Sequence, residues 1–307
     1  MWFLSPEVRV AEQTELKGPS NPYLLIDGDI FLYRCGFAVE KTKYLVTAHY
    51  PECDWVCSEF DTAKEAKEEM KYGNKTLWSR REVEPVENAL EATRKALQNV
   101  CEKFPYNPGK GDKWVGQIYL TGKGNFRENI EAERGYKDNR DPGHRPKHYR
   151  AIKEYLVKNW GAKIVNGMEA DDAIGIDAYS RPIDGYIVVS NDKDLDQISG
   201  FHYDWTKEHL YFVNDEDSLK MFYKQLLCGD PTDNIKGVIS EEKADELIDP
   251  LSSPHDCARV AKEVYEKKYG ELWSDKLDVT GELVWIRKDN WPSGKLHNPF
   301  WSHLNGP

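Results

Sequence analysis

The chain has 307 residues, a formal net charge of −11 and a hydrophobic fraction of 39%, enough for one large domain or two modest ones. The acidic balance argues against a surface coated in positive charge for nucleic-acid binding, but it allows a local basic track and suits carboxylates gathered around cations. The sequence has no long apolar run, no basic stretch ahead of its first apolar patch and no zinc-ligand spacing among its six cysteines. We therefore expect a cytoplasmic protein with free thiols and no membrane span.

The first part of the chain alternates predicted strands and helices. Residues 1–22 are a polar extension that ends in a loop, and the strand at 23–26 ends on Asp27-Gly28-Asp29. Residues 41–80 are an insertion with a charged helix and a predicted hairpin, because Pro51 falls between two apolar segments. An amphipathic helix is predicted from Glu87 to Phe104. The strand at 115–120 leads into a glycine-rich turn that matches no nucleotide-binding fingerprint.

Between Arg127 and Lys158 the local charge becomes positive, with tyrosines and histidines between the cations. Cations that meet phosphates, with rings that stack on bases, are typical of a nucleic-acid strand-binding segment. Arg145 and Lys147 are candidate contacts of this kind. Glycine and proline near residue 142 make the middle irregular, so the segment from about 123 to 150 is predicted to form an arch or, alternatively, an ordinary basic surface loop.

The stretch from Glu169 to Asp194 contains five carboxylates within a helix, turn, strand and loop. Glu169 and Asp172 are three apart, so they share a face of the predicted helix, although acidic residues at a helix start also suit the macrodipole alone. The strand at 187–189 ends just before Asp192, and ligands of open α/β sheets bind beyond the carboxyl ends of strands. This stretch is therefore the predicted centre of the site.

The core is predicted to continue through a strand at 210–213, and residues 214–307 form a predicted helical region. That region contains two further carboxylates three apart, Asp230 and Asp233, and a strand-like patch at 281–287. Carboxylates gathered at one sheet edge would repel each other unless cations lay among them, and oxygen ligands favour Mg²⁺ or Mn²⁺. A pair of such ions is a standard device for phosphodiester hydrolysis.

The runs LLIDGD, MEADDAIG, SNDKDLDQI and CGDPTDNIKGV, in this order, resemble the 5′ nuclease family, which includes flap endonucleases and phage 5′–3′ exonucleases. FRENIEAERGYKDNR resembles the arch of that family. The resemblance covers roughly residues 23–248. It implies a PIN-like α/β fold with a twisted, mostly parallel sheet flanked by helices over 23–213, a helical arch, and a C-terminal helical subdomain that binds duplex.

The resemblance also implies roles for particular residues. One metal would be held by Asp27, Glu169 and Asp171. The second would lie beside Asp172, Asp192, Asp194, Asp230 and Asp233. Lys137 and Arg140 would steer and stabilise the scissile phosphate as catalytic cations, Tyr136 would stack on a base, and Arg127 matches the arginine that follows an aromatic residue in the nucleic-acid-binding segment.

The chain departs from the family pattern at two places. Relatives commonly carry an aspartate after the strand where this chain has Thr121-Gly122-Lys123, so one ligand of the first metal is missing by that pattern. A water, or Asp29, which is near in sequence, could take its place. The duplex-binding element lacks its glycine pair, because DNIKGV passes directly into ISEEKADELI. This second departure weakens the expectation of potassium-assisted duplex binding.

The expected function is a divalent-metal-dependent 5′–3′ exonuclease, with flap endonuclease or RNase H activity as variants, acting in DNA replication. Its partner would be DNA or an RNA–DNA hybrid with a 5′ end, in the host cytoplasm if the gene is phage-encoded. Two alternatives stay open. One is a haloacid-dehalogenase-like phosphatase with Asp27 as nucleophile. The other is a non-catalytic nucleic-acid-binding relative, because of the missing acid at Gly122.

Overall fold

The computed structural model describes residues 18–50, 53–71, 75–105, 114–141, 144–289 and 298–306. Its strands are β1 (Tyr23–Asp27), β2 (Glu40–Tyr50), β3 (Cys53–Phe60), β4 (Lys75–Val83), β5 (Val115–Thr121), β6 (Lys163–Val165), β7 (Tyr186–Val189), β8 (Gly200–Asp204), β9 (His209–Val213), β10 (Gly229–Asp230) and β11 (Ile235–Lys236). Its helices are α1 (Gly28–Phe37), α2 (Ala63–Glu69), α3 (Val86–Lys103), α4 (Tyr149–Trp160), α5 (Ala170–Tyr179), α6 (Asp215–Cys228), α7 (Glu241–Ile248), α8 (Pro254–Tyr269), α9 (Trp273–Val284) and α10 (Phe300–Asn305).

A six-stranded sheet in the order β6-β5-β1-β7-β8-β9 forms the centre of the protein. All neighbouring strands in it are parallel except β8 and β9, which pair antiparallel. The predicted α/β class with a mostly parallel sheet is therefore confirmed. Because β1, β5 and β7 are adjacent and parallel, their carboxyl ends share one edge of the sheet.

Helices cover both faces of this sheet. Successive side chains of β1 point to opposite faces, so each face contributes apolar side chains for the helices to pack against. Leu24 and Ile26 pack with Phe31 and Leu97 in a fully buried cluster that also includes side chains of α4. Leu25, on the opposite face, packs in a second cluster with residues of α5. Each such buried aliphatic side chain stabilises the fold by about 1.5–3 kcal/mol relative to leaving it exposed.

The insertion after α1 forms a separate antiparallel sheet with the strand order β3-β2-β4. The predicted hairpin corresponds to β2 and β3, and β4 is an additional strand that pairs along β2 from Glu40 to Ala48. Pro51, on which the hairpin prediction rested, lies outside the described residues. Arg81 of β4 donates to the carbonyl of Arg145 at 3.0 Å, so the insertion contacts the basic segment.

The C-terminal helices surround an apolar core of their own that includes Tyr223, Tyr265 and Phe300. The predicted strand-like patch at 281–287 is wrong: α9 continues to Val284, and the next three residues are extended without a strand partner. Side chains replace that partner, since the backbone N–H of Ile286 donates to Gln197 at 3.1 Å. No described helix has the length and apolar character that a membrane crossing requires.

The basic segment after β5 differs from the helical arch that the resemblance implied. A short 3₁₀ turn, Phe126–Asn129, is followed by irregular chain and a turn around Lys137, and no helix occupies the described residues 130–141. Gly135 and the charged sequence around it do not supply the apolar periodicity that a helix needs to pack. The segment is held instead by side-chain and backbone contacts with the C-terminal region.

Candidate functional site

The first carboxylate of the site is fixed where β1 ends and α1 begins. Asp27 caps α1 and is 3% exposed. Its Oδ1 accepts the backbone N–H of Asp29 at 3.0 Å, and its Oδ2 accepts the hydroxyl of Ser190 at 3.0 Å. Because Ser190 directly follows β7, this hydrogen bond joins the ends of two neighbouring strands.

The next two carboxylates lie in the loop after β7, as the strand-end argument predicted. Asp192 caps a 3₁₀ turn, Lys193–Gln197, and its Oδ1 accepts the backbone N–H of Asp194 at 3.0 Å. Asp194 Oδ1 accepts from the amide of Gln225 on α6 at 2.6 Å. The loop is therefore bonded both to the sheet edge and to the C-terminal helices.

The helix α5 begins at the same edge and divides its acidic residues between two environments. Glu169 and Asp171 are partly exposed and line the cleft at the sheet edge. Asp172 points the other way and is 0% exposed. Its Oδ2 accepts the backbone N–H of Glu169 at 3.1 Å, which is the helix-capping arrangement that the acidic helix start also favoured.

The structure contradicts the roles predicted for Arg127 and Asp172, because it pairs these two side chains inside the protein. Arg127 is 3% exposed, and its Nη1 and Nη2 donate to Asp172 Oδ2 and Oδ1 at 2.6 and 2.8 Å. Arg127 also donates to the carbonyls of Leu283 and Trp285, and Asp172 accepts from the backbone N–H of Arg287. Arg127 is thus not placed to contact nucleic acid, and Asp172 is not placed to bind a metal.

The structure also contradicts the base-stacking role predicted for Tyr136. Its ring is 8% exposed and packs in the C-terminal core, so it cannot stack on a base without leaving that core. Its hydroxyl lies 2.8 Å from Glu169 Oε2 and 2.9 Å from Asp233 Oδ2. Burial and the charge of Glu169 raise the pKa of Tyr136, so the phenol stays protonated and its single O–H can serve as a hydrogen-bond donor to either carboxylate.

The two predicted catalytic cations, Lys137 and Arg140, contact the same carboxylates. The ammonium of Lys137 forms ion pairs with Glu169 and, at 3.3 Å, with Asp233, and Arg140 pairs with Asp233. Lys137 adopts a left-handed backbone with a φ of 59°, which is uncommon for a non-glycine residue. Its backbone N–H donates to the carbonyl of Asp233 at 3.0 Å.

Asp233 and Asp230 lie in the hairpin formed by β10 and β11, which packs against the turn that contains Lys137. Asn139 donates to the carbonyl of Pro231 at 3.0 Å, and Asn234 donates to the carbonyl of Gly135 at 2.9 Å. These two hydrogen bonds therefore fix the position of the turn relative to the hairpin. This contact brings the last two predicted carboxylates to the edge of the sheet.

Burial and the charges of neighbouring carboxylates both raise pKa values within the cluster. Burial, with the charges of Asp29 and Asp192, raises the pKa of Asp27 to about 8. Burial, with Asp192 and Asp230, raises the pKa of Asp194 to about 8. Burial also raises the pKa of Asp171, to which Asp27 contributes. Each of these aspartates is perturbed by another member, so the predicted site residues form one electrostatic group.

Asp27, Glu169, Asp171 and Asp192 line a cleft of about 1580 Å³ that is also lined by several cations. Arg145 lines this cleft, as predicted for a nucleic-acid contact, whereas Lys147 is exposed and lies outside the lining. Arg34, Lys123 and Lys153 also line it, and within the described chain none of these three or Arg145 forms an ion pair with a carboxylate. Sequence reasoning missed Arg34, which lies in α1 away from the basic segment.

The donor atoms of the cluster are all oxygens, which is the chemistry that Mg²⁺ and Mn²⁺ prefer. A cavity of about 30 Å³ lies among Asp171, Asp194, Asp230 and Asp233, with room for one water-sized group. Within the described residues, however, no three Asp, Glu, His or Cys side chains converge as a ready-made metal site. The residues fit a hard divalent ion by chemistry, and the metal stays a prediction.

The sequence was also compared with known proteins. No protein-family model matches it, and no curated protein matches it.

The buried Arg127–Asp172 pair predicts a large effect on stability. Arg127→Gln leaves Asp172 buried without its cation, and we expect the free energy of unfolding to fall by about 3–5 kcal/mol in urea denaturation followed by circular dichroism. Arg181→Gln is the matched control, because Arg181 pairs with Asp177, which lies on α5 like Asp172 but is partly exposed. An ion pair at such a position is worth about 0–1 kcal/mol. Equal, small losses in both variants would contradict this assignment.

The raised pKa values of Asp27 and Asp194 predict a pH dependence in EDTA. Both folded-state pKa values, about 8, exceed the ordinary value of 3.8, so the stabilising contribution of the protonated carboxyls is complete below about pH 4 and is lost as the pH rises towards 8. The expected loss is a few kcal/mol, since one pKa unit is worth about 1.4 kcal/mol. Asp27→Asn should flatten the profile measured by urea denaturation, and a profile that rises through this window would be inconsistent with a crowded cluster.

Proposed function

We propose that this protein is a divalent-metal-dependent 5′ nuclease with a PIN-like fold, which hydrolyses phosphodiester bonds of DNA or an RNA–DNA hybrid. The observation that carries the proposal is that a crowded acidic cluster and a wall of cations without carboxylate partners share one cleft. A phosphodiester strand needs both features. Cations bind its phosphates, and carboxylates hold the ions that assist hydrolysis.

The charge distribution supports a nucleic-acid strand as the substrate. With a net charge of −11, most of the surface repels a polyanion, so productive contacts are confined to local cations. Arg34, Arg145 and Lys153 supply such contacts along the cleft wall. Tyr33 and Tyr149 lie beside them, with ring centroids 5.5 Å apart, and add apolar surface for a base or sugar.

Two groups of carboxylates are the candidates for holding ions. Asp27, Glu169 and Asp171 form one group where β1 ends and α5 begins. Asp192, Asp194, Asp230 and Asp233 form the second. The small cavity lies between the groups, since Asp194, Asp230 and Asp233 line it together with Glu169 and Asp171. A bound pair of Mg²⁺ or Mn²⁺ would supply activation of the attacking water and stabilisation of charge on the phosphate oxygens.

The other site residues have supporting tasks that follow from their contacts. The Tyr136 hydroxyl lies within hydrogen-bond distance of Glu169 and Asp233, so its one O–H is shared between a carboxylate of each group. Lys137 and Arg140 lie at the cleft wall within reach of both the carboxylates and an incoming phosphate. When a phosphate enters, their charges are available to orient it and to stabilise the additional negative charge of the transition state.

The phosphatase alternative is less well supported by the geometry. A phosphatase with Asp27 as its nucleophile would leave Glu169, Asp171 and Asp192, which line the same cleft, without a task. The cleft, with a volume of about 1580 Å³, is also larger than a small phosphate ester would fill.

Digestion of labelled substrates tests the proposal. We expect a 5′-labelled duplex, a 5′ flap and an RNA–DNA hybrid to be cut from the 5′ end with Mg²⁺ or Mn²⁺, and to stay intact in EDTA. Product lengths separate release of single nucleotides from cleavage at the flap junction. Intact substrates under all metal conditions, with strand binding retained, would identify a non-catalytic nucleic-acid-binding protein instead.

Single substitutions test the assigned carboxylates. Asp171→Asn and Asp192→Asn should each lower cleavage by at least about 100-fold, the scale on which lost electrostatic stabilisation acts, and leave strand binding equal or tighter because a negative charge is removed. Asp177→Asn is the control, since Asp177 lies on the same helix but bonds to Tyr119 and Arg181 outside the cleft. Full activity of both Asp171 and Asp192 variants would refute the assignment.

A further inference from the structure

Asp29 lies at the sheet edge between two strands, in the first turn of α1. Both of its carboxylate oxygens are 3.2 Å from the backbone nitrogen of Thr121, the last residue of β5. Its own backbone N–H donates to Asp27. Asp29 therefore brings a carboxylate to the end of β5, and it lines the cleft.

Residue 122, which follows β5, has no room for a carboxylate of its own. A Cβ atom on Gly122 would lie 2.4 Å from the carbonyl oxygen of Val165 and 2.2 Å from Asn166 Oδ1. The backbone there is fixed, since Gly122 N donates to the Val165 carbonyl at 2.7 Å and Lys123 N donates to Asn166 Oδ1 at 2.9 Å. A carboxylate at this corner of the cleft must come from another element.

The geometry around Asp29 places it with the first group of carboxylates. Asp29 lines the same cleft as Asp27, Glu169 and Asp171, and its backbone N–H donates to Asp27 Oδ1 at 3.0 Å. Lys153, which also lines the cleft, donates to the carbonyl of Thr121 at 2.5 Å, and within the described chain no cation forms an ion pair with Asp29. Its charge is therefore compensated only in part by the protein.

We propose that Asp29 is a further metal-binding carboxylate, which faces the first ion from the β5 side and completes the group of Asp27, Glu169 and Asp171. This inference rests on the proposed function. The competing explanation is that Asp29 only braces α1 against β5. The two differ in what they require, because an amide oxygen accepts the Thr121 N–H as well as a carboxylate does, whereas only the carboxylate supplies the charge that holds an ion.

Calorimetric titration with Mn²⁺ separates the two explanations. We expect Asp29→Asn to weaken the affinity for one ion by about 10-fold or more, with no loss of stability in EDTA, because it keeps the Thr121 hydrogen bond and removes one charge from the crowded group. Asp196→Asn is the matched control. Asp196 lies in the neighbouring loop and accepts from Tyr211 at 2.8 Å, but it does not line the cleft, so Mn²⁺ affinity should be unchanged.

Unchanged Mn²⁺ affinity in Asp29→Asn would overturn the inference, and lower stability in EDTA with normal affinity would establish the bracing explanation. If the variant fails to fold, Asp29→Glu provides the second readout, because it keeps the charge but moves it by one methylene and should also weaken binding. Absence of Mn²⁺ binding to the unsubstituted protein would instead refute the proposed function. Cleavage assays are not needed for either decision.

Discussion

The bidentate pair between Arg127 and Asp172 is the interaction on which the geometry of the site depends. It joins the turn after β5, the start of α5 and the chain after α9, because the pair also bonds to the backbone of Leu283, Trp285 and Arg287. A buried ion pair is not in itself a strong source of stability, but removal of one partner is costly, and its several fixed hydrogen bonds allow only one arrangement of these segments. That arrangement turns Glu169 and Asp171 towards the cleft.

The resulting site brings several negatively charged side chains close together. Carboxylates from β1, α5, the loop after β7 and the β10–β11 hairpin meet at one edge, where burial, together with the charges of neighbouring aspartates, raises the pKa values of Asp27 and Asp194. Lys137 and Arg140 offset part of this negative charge through Glu169 and Asp233. The same cations thus have two sets of anionic partners available, the carboxylates and the phosphates of a substrate. In the proposed nuclease, divalent ions would satisfy the carboxylates and leave these cations for the phosphates.

The sequence was informative where local pattern decides structure. Short apolar runs that end just before Asp27 and a few residues before Asp192 predicted strand ends at one sheet edge, and the parallel sheet follows from alternating strands and helices. Tertiary contacts decided the rest. Whether Asp172 faces a metal or Arg127 cannot be read from EADD, because both orientations share the same helical spacing. Tyr136 and Arg127 lay in a basic, aromatic segment but are buried by the C-terminal helices, which are distant in sequence. The strand-like patch at 281–287 was apolar because it is buried, and its backbone is satisfied by side chains.

The central claim is that this acidic edge is a site for divalent ions, and anomalous diffraction from crystals grown with Mn²⁺ tests it most directly. The account predicts Mn²⁺ density at the edge bounded by Asp27, Asp171 and Asp192, with the ammonium of Lys137 displaced from Glu169. Crystals at saturating Mn²⁺ that show no density at this edge, with Lys137 still paired to Glu169, would contradict it.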